Sequence, residues 1–424
     1  MSVLLVGDYR DRLNWGARGA STALSQIIRG RHRISDTISG LEISKRTPIY
    51  NGLGYLPFTG RIREKIYPRN IPSVLSALIG RRDFISADPV ESVENIRKYS
   101  SRHPELRDII DSVKRADRVV INGEGSMIFK TPASSEYMYQ LAMIELAHQM
   151  NTPVFHVNAL VSDPPGGERN EQTVATTRVM MEKCAAVTLR DPVSYEYLSK
   201  ISPKANTFMV PDSLFAWNRR VDEASTQLPS DGNYLLPFNE APDEYFDQLN
   251  FEASYICLSG SSTAAKDQEA SRKRYTALAE ALKHTNMNVF LVPTCYGDRF
   301  LYDVAETTGL PVVPLRVPIL AGAAILANAR LLVSGRFHPS IMAALGGTPC
   351  IFLGADSHKT RSLQGMLEYT DVRTFADKPS DKEIDEIIDL SSDYLEQNDM
   401  IRSRVKDLAR GYERDALRLQ DIIN

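Results

Sequence analysis

Short apolar runs alternate with amphipathic stretches almost from one end of this chain to the other, and that rhythm leaves few folds open. Val3–Val6, Arg118–Asn122, Pro153–Asn158, Ala186–Arg190 and Phe208–Val210 have the length and branched composition of strands buried on both faces. Between them lie helical patterns at about Ala20–Arg29, Val93–Ala116, Ser135–Met150 and Glu171–Lys183. A second series follows, with strands at Ser254–Leu258, Val289–Val292, Leu331–Ser334 and Pro349–Leu353 and helices at Gln268–Lys283 and after His338. Such alternation predicts parallel sheets with helices on both faces. The expected class is α/β, with two doubly wound, Rossmann-like domains facing a cleft.

Two domains also suit the length, since 424 residues exceed what one hydrophobic core usually serves. The pattern lapses between Phe215 and Phe251, where Pro229, Gly232, Pro237 and Pro242 interrupt it. The expected division is an N-terminal domain at 1–215, a connection at 216–250, a C-terminal domain at 251–380 and a helical tail at 381–424 packing back on the first domain. Residues 40–90 read as an insertion. Within it, Arg61–Arg82 holds six basic residues and one acidic one. That stretch is either a solvated face or a contact for an anionic or lipid-linked partner.

The formal net charge of −3 gives no bias toward nucleic acid. Cys184, Cys257, Cys295 and Cys350 are scattered without a Cys-x-x-Cys pair, which fits a reducing compartment better than a disulfide framework or a zinc site. The longest nearly apolar run, Val317–Ala329, falls short of the roughly 20 residues that span a bilayer. The N-terminus reads as a strand rather than a signal peptide. The expectation is a cytoplasmic protein, with peripheral contact at the inner face of a membrane as the closest approach to lipid.

Chemistry concentrates in Leu331–Lys359. An apolar run ends in Ser334-Gly335, then Arg336, Phe337 and His338 appear, and Pro339 opens an Ala-rich helix pattern. In open α/β sheets, anionic ligands bind where the carboxyl edge of a strand meets a helix N-terminus. A guanidinium there is a rigid, permanent fork for phosphate or carboxylate, and an imidazole moves protons near neutral pH. Pro339 suits the first helical position, which puts His338 at about the N-cap. The plain alternative is a histidine capping its own helix and an arginine in a structural salt bridge.

Other candidates sit at comparable strand ends. Arg190 leaves the strand at Val187–Leu189, either toward the same cleft or to pair with Asp191 or a neighbouring carboxylate. Asn122-Gly123-Glu124-Gly125-Ser126 follows Val119–Ile121 directly, with Glu124 as an acceptor-binding group or general base, or as a solvated residue of a tight turn. Asn14-Trp15-Gly16-Ala17-Arg18-Gly19 resembles a ligand loop but lacks dinucleotide spacing. Lys359 adds a third cation near the anion or lies at the surface. His156, inside a strand, reads as a core histidine. Walker A, His-Glu-x-x-His and Gly-x-Ser-x-Gly patterns do not occur, and no cluster has metal-ligand spacing, so neither metal nor organic cofactor is expected.

These pieces together resemble the polysaccharide pyruvyl transferase family. The resemblance rests on Asn14–Gly19, Ile121–Ser126, Thr188-Leu189-Arg190-Asp191, Val210-Pro211-Asp212, Ser334–Pro339 and Ala343–Pro349. It implies a fold similar to the GT-B glycosyltransferases, phosphoenolpyruvate as donor and a sugar acceptor, lipid-linked in some settings, that becomes a pyruvate ketal. Carried onto this sequence, the resemblance makes Arg190, Arg336 and His338 the donor-binding set, with His338 also catalytic; read from the residues themselves, Phe337 and Lys359 join the donor side and Glu124 is a second catalytic candidate. Asn14, Gly16, Arg18, Asn122, Gly123 and Ser126 fall to the acceptor side. The rival readings are a GT-B glycosyltransferase with a nucleotide-sugar donor, and a polysaccharide-binding protein that has left catalysis behind.

Overall fold

Val3, Leu4, Leu5 and Val6 are all fully buried, so the first strand is covered on both faces, as strands of a parallel sheet must be. The computed structural model describes residues 1–39, 84–102, 104–224, 249, 251 and 253–424. Arg61–Arg82 and most of the expected connection lie outside the described residues. The rest forms two units. One comprises Met1–Tyr9, Ile28–Val210 and Gln420–Asn424, and the other Arg10–Ile27 and Pro211–Leu419.

In the first unit the elements run β1 (Ser2–Asp8), α1 (Trp15–Arg29, whose residues through Ile27 belong to the second unit), β2 (Arg33–Ser39), α2 (Pro89–Tyr99), α3 (Pro104–Arg115), β3 (Arg118–Asn122) and β4 (Met127–Ile128). They continue with α4 (Ser135–Gln149), β5 (Val154–Ala159), β6 (Val161–Ser162), α5 (Glu171–Glu182), β7 (Ala186–Leu189), α6 (Pro192–Ile201) and β8 (Thr207–Met209). Six strands pair in parallel in the order β2-β1-β3-β5-β7-β8. The winding reverses between β1 and β3, which makes the carboxyl ends of those two strands the topological switch point. Side-chain caps set the helix starts: Ser134 accepts from Tyr137, Asn170 from Thr173 and Asp191 from Ser194.

In the second unit, Asn218–Ala224 forms α7, followed by β9 (Tyr255–Ser261), α8 (Gln268–Lys283), β10 (Asn288–Val292), α9 (Phe300–Thr308), α10 (Ile319–Asn328), β11 (Leu331–Gly335) and α11 (Phe337–Leu345). After β12 (Cys350–Phe352) come α12 (Lys359–Met366), α13 (Asp381–Glu396), α14 (Asn398–Leu417) and α15 (Leu419–Ile422). Its sheet is parallel in the order β10-β9-β11-β12, with the switch point between β9 and β11. Successive strand residues feed two separate cores. Ile256, Leu258, Leu331 and Val333 pack with α8, α9 and α13, whereas Cys257, Leu332 and Phe352 pack with α10, α11 and α14. Helices therefore cover both faces.

Helix α10 explains the apolar run at Val317–Ala329. Every residue from Ile319 to Ala327 is buried, so an all-round apolar helix lies inside the protein. Among the described residues no helix is long and apolar enough to cross a membrane.

Two expectations change. Helix α1 starts at Trp15 rather than near Ala20, so Asn14–Gly19 is a helix start and not an open loop. The tail joins the second unit as far as Leu419, and only Gln420–Asn424 joins the first, where Arg118 donates to the Ile423 carbonyl. The reason lies in the apolar stripes: Ile384 and Ile387 complete one core of the second unit, and Ile401, Val405 and Ala409 the other.

Candidate active site

At the carboxyl edge of β11, Gly335 ends the strand and Arg336 takes the N-cap position of α11 with φ −102° and ψ 122°. Its backbone N–H donates to Ser334 Oγ at 3.0 Å, which fixes the turn. Arg336 Nη2 donates to Asp298 Oδ1 at 2.5 Å. Asp298 is wholly buried and also accepts from the Thr294 backbone N–H at 3.0 Å and its hydroxyl at 3.1 Å. Burial pulls the Arg336 guanidinium down, but the Asp298 charge and hydrogen bond outweigh it and hold its pKa above the ordinary arginine value. This cation is permanent. Its Nε is buried and has no hydrogen-bond partner among the described residues. One edge of the fork is thus tied down, while a donor remains for an anion.

His338 stands at the second helical position and Pro339 at the third, so Arg336, not His338, is the cap. The imidazole Nε2 lies 3.2 Å from Asp212 Oδ2, and the Asp212 side chain is wholly buried. Asp212 Oδ1 in turn accepts from the Leu214 N–H at 3.0 Å. Phe337, expected among the donor contacts, is 4% exposed and packs in the core with Ile341 and Met342. Its ring meets the His338 ring edge-on at 5.2 Å, which makes it a support for the imidazole. Lys359 opens α12 and pairs with Asp356, whose N–H donates to Ser262 Oγ at 3.1 Å.

The segment expected on the acceptor side of the first domain falls in the second unit instead. Asn14 accepts from the Ala17 N–H at 3.1 Å and starts α1. Arg18 is fully buried and donates from Nη2 to the Val317 carbonyl at 3.0 Å, and burial pushes its pKa down to about 10. Gly16 is a glycine for lack of room. A Cβ built on it would lie 2.5 Å from His338 Nδ1 and 2.8 Å from Cγ, closer than real contacts allow.

In the first unit, the turn after β3 carries Glu124 at φ 46°, a left-handed conformation that costs a residue with a Cβ about 1–2 kcal/mol. Glu124 Oε2 accepts from Arg190 Nη1 at 3.2 Å, and both side chains are buried. Asn122 Nδ2 donates to the Gly7 carbonyl at 3.2 Å, and Asn158 Nδ2 donates to Asn122 Oδ1 at 3.3 Å. Asn158 also has a positive φ of 58°. Asn adopts this conformation readily, so the strain falls on Glu124. Gly123 presses on His156, where a Cβ would fall 2.5 Å from Cε1. Below, Gln140 Oε1 lies 2.9 Å from Ser126 Oγ and 3.1 Å from His156 Nε2. Burial pushes His156 down to about 4, so it is a neutral core residue that donates from Nε2. Asn122, Gly123 and Ser126 thus shape the turn that holds Glu124.

The sequence did not single out Asp298 or Asn158, and gave Asp212 no role. Asp298 lies 38 residues before Arg336 and Asp212 lies 126 before His338, so no local spacing announces either pair. The one local signal is Asp212 two residues before Leu214, the spacing of a side-chain cap.

Residues 76–357, more than half of the chain and including Glu124, Arg190, Arg336 and His338, match the profile of the family described as polysaccharide pyruvyl transferase. The chain belongs to the polysaccharide pyruvyl transferase family. None of the curated proteins matches it in sequence. Among solved structures, this family member is similar to a putative UDP-N-acetylglucosamine 2-epimerase from Listeria monocytogenes, with TM-score 0.55 and 12% identity over 100% of this chain and 95% of the other. The UDP-GlcNAc 2-epimerase of Neisseria meningitidis, solved with UDP-GlcNAc bound, gives 0.53 and 12% over 99% and 98%. Anabaena HepE, in complex with UDP and glucose, gives 0.52 and 12% over 99% and 97%. Likeness at this identity establishes the fold, a GT-B-like class with two Rossmann-like domains.

Proposed function

We propose that this family member moves the enolpyruvyl group of phosphoenolpyruvate onto two hydroxyls of a sugar in a polysaccharide or its precursor, leaving a pyruvate ketal and free phosphate. The observation that carries the reading is the Arg336–His338 turn. A permanent guanidinium with a buried Nε that has no partner among the described residues stands two residues from an imidazole backed by a buried carboxylate, at the start of a nine-residue helix. Phosphoenolpyruvate is a small anion with a carboxylate and a phosphate, and Arg336 matches either in charge and planarity. The family resemblance adds Arg190 to the donor set, and Lys359, at the start of α12, is read as a further cation for it.

The steps balance without a further reactant. Protonated His338 gives its proton to the methylene carbon, and positive charge develops at the carbon bearing the phosphate. One sugar hydroxyl adds to that carbon and releases its proton. Phosphate leaves with the C–O bond pair, and the second hydroxyl closes the ketal. Of the two hydroxyl protons, one replaces the proton His338 supplied and the other departs with phosphate. A positioned acid contributes about 10²–10⁴-fold, and Arg336 stabilises the charge gathering on the leaving phosphate.

The test is incubation with phosphoenolpyruvate and a panel of glycosyl acceptors, reading inorganic phosphate and the mass gain of a ketal. A parallel thermal-shift series compares phosphoenolpyruvate with UDP-, GDP- and CMP-sugars. Stabilisation by a nucleotide sugar alone, with no phosphate released in any pairing, would overturn the assignment.

A further inference from the structure

We propose that Asp298 is a positioning residue for donor binding, which aims the guanidinium of Arg336 by locking the turn after β10 to the carboxyl ends of β9 and β11. The inference deepens the proposed function and rests on its reading of Arg336 as the group that meets the anionic donor. An arginine free to swing gives up rotamer entropy when it grips an anion, whereas one already held gives up little. Arg336 is held. Its Nη2 donates to Asp298 Oδ1 at 2.5 Å, and Nε is buried, so Nη1 is the nitrogen left for an incoming anion. The Arg336 side chain keeps 14% of its surface exposed and that of Asp298 none, so the pair has an open end and a sealed one.

Asp298 is fixed from several sides. Its own N–H donates to the Cys295 carbonyl at 2.9 Å and closes the turn after β10. Oδ2 accepts from the Thr294 N–H at 3.0 Å and its hydroxyl at 3.1 Å, and the Thr294 carbonyl accepts from the Trp15 N–H at 2.9 Å. Gln268 Nε2 donates to the Gly297 carbonyl at 2.9 Å, which anchors the same turn to α8. Two glycines leave the room this packing needs. A Cβ on Gly260, in β9, would lie 2.1 Å from Oδ1, so a larger residue there would push the carboxylate off its place. A Cβ on Gly297 would lie 3.4 Å from Nη2 and 2.8 Å from the Ala265 Cβ. Stability alone is a poor account of the pair, because desolvation offsets much of the attraction between buried charges. Direction is what the arrangement gives. With Oδ2 committed to Thr294, Oδ1 points one way before and after a donor arrives, and the guanidinium with it.

The sign of one substitution separates positioning from charge. A carboxylate beside an anion site repels an anionic donor, so removing its charge alone would tighten binding. In Asp298→Asn the amide oxygen keeps Thr294 and turns a second donor toward Nη2, which releases the guanidinium. Calorimetry on the full-length protein, at a temperature where circular dichroism shows both forms folded, should find phosphoenolpyruvate bound at least about tenfold more weakly. Gly260→Ala keeps every charge, displaces Oδ1 and should weaken phosphoenolpyruvate by a similar factor; it also serves should Asp298→Asn not fold. Affinity unchanged or tightened in whichever variant folds overturns the proposal. The orientation is read without donor by ¹⁵N NMR of arginine-labelled protein, with Arg336 assigned by its absence in Arg336→Met. Nη1 and Nη2 of Arg336 should give separate signals in the wild type and one averaged signal in Asp298→Asn. An averaged wild-type signal overturns the proposal, whatever binds. Separate signals in a wild type that does not bind phosphoenolpyruvate would remove the donor reading and leave Asp298 as the residue that fixes the guanidinium.

Discussion

Replacing Arg336 by methionine should weaken the second unit by an amount the geometry sets. Methionine keeps much of the stem volume and deletes the charge, so among the described residues Asp298 is left as a wholly buried carboxylate facing the two neutral donors of Thr294. Removing one partner of a buried ion pair costs about 3–5 kcal/mol. The surviving Thr294 bonds place this case near 3 kcal/mol. For a folding unit of about 200 residues, each kcal/mol moves Tm by roughly 2–4 °C, which gives a loss of about 6–12 °C. The informative variant is the double one. Adding Asp298→Asn to Arg336→Met removes the stranded charge while its amide oxygen still accepts from Thr294. The pair of changes should recover at least about half of the lost stability, because neutral groups bear burial better than a lone ion. Thermal melts and urea titrations at all four corners of the cycle measure the coupling, and calorimetry with phosphoenolpyruvate separates binding from folding. If Arg336→Met melts within about 2 °C of wild type, or if Asp298→Asn adds its full cost on top, the pair does not carry the burial energy argued for it.

Two further outcomes are expected. Glu124→Gln removes the charge opposite the buried Arg190, and the urea midpoint should report a loss of about 3 kcal/mol, the low end for a pair broken from one side; an unchanged midpoint would mean that the pair adds nothing to the fold. His156 is held near 4 by burial against 6.5 in the unfolded chain, so the folded state prefers the neutral ring. Its stabilising share is complete above pH 6.5 and falls by about 3 kcal/mol as pH drops from 6.5 to 4. His156→Gln should flatten that part of a stability-versus-pH curve, and an unaltered slope would rule out His156 as its source.

The parts of the fold that were legible before the structure are those where burial leaves its mark on composition. Arg118–Asn122 and Gln268–Lys283 were read at their actual bounds, one as a run buried on both faces and the other as an amphipathic stripe. Strand β2 is hard to read from sequence because Arg33–Ser39 is partly exposed and carries a single buried residue, Ile38, so its sequence alternates weakly. The start of α1 is hard to read from sequence because Gly16 and Gly19 give the segment the composition of a ligand loop. Their purpose is room: Gly16 lies against His338, and a Cβ on Gly19 would fall 2.9 Å from Met342 Cε. Arg190, Arg336 and His338 were legible as exits from apolar strands toward helices. Their carboxylate partners were not, since Asp298 and Asp212 acquire meaning only when distant segments fold together.

The second unit is not a cassette. Its chain enters as Arg10–Ile27, leaves for more than 180 residues and returns at Pro211. A gene fragment cut at Val210 would encode a C-terminal half without Trp15, Gly16 and Arg18, and so without the backbone that lies against His338. Recombination at that seam would separate the imidazole from the wall beside it, so grafting this half onto another lineage requires carrying along the eighteen residues of Arg10–Ile27 as well.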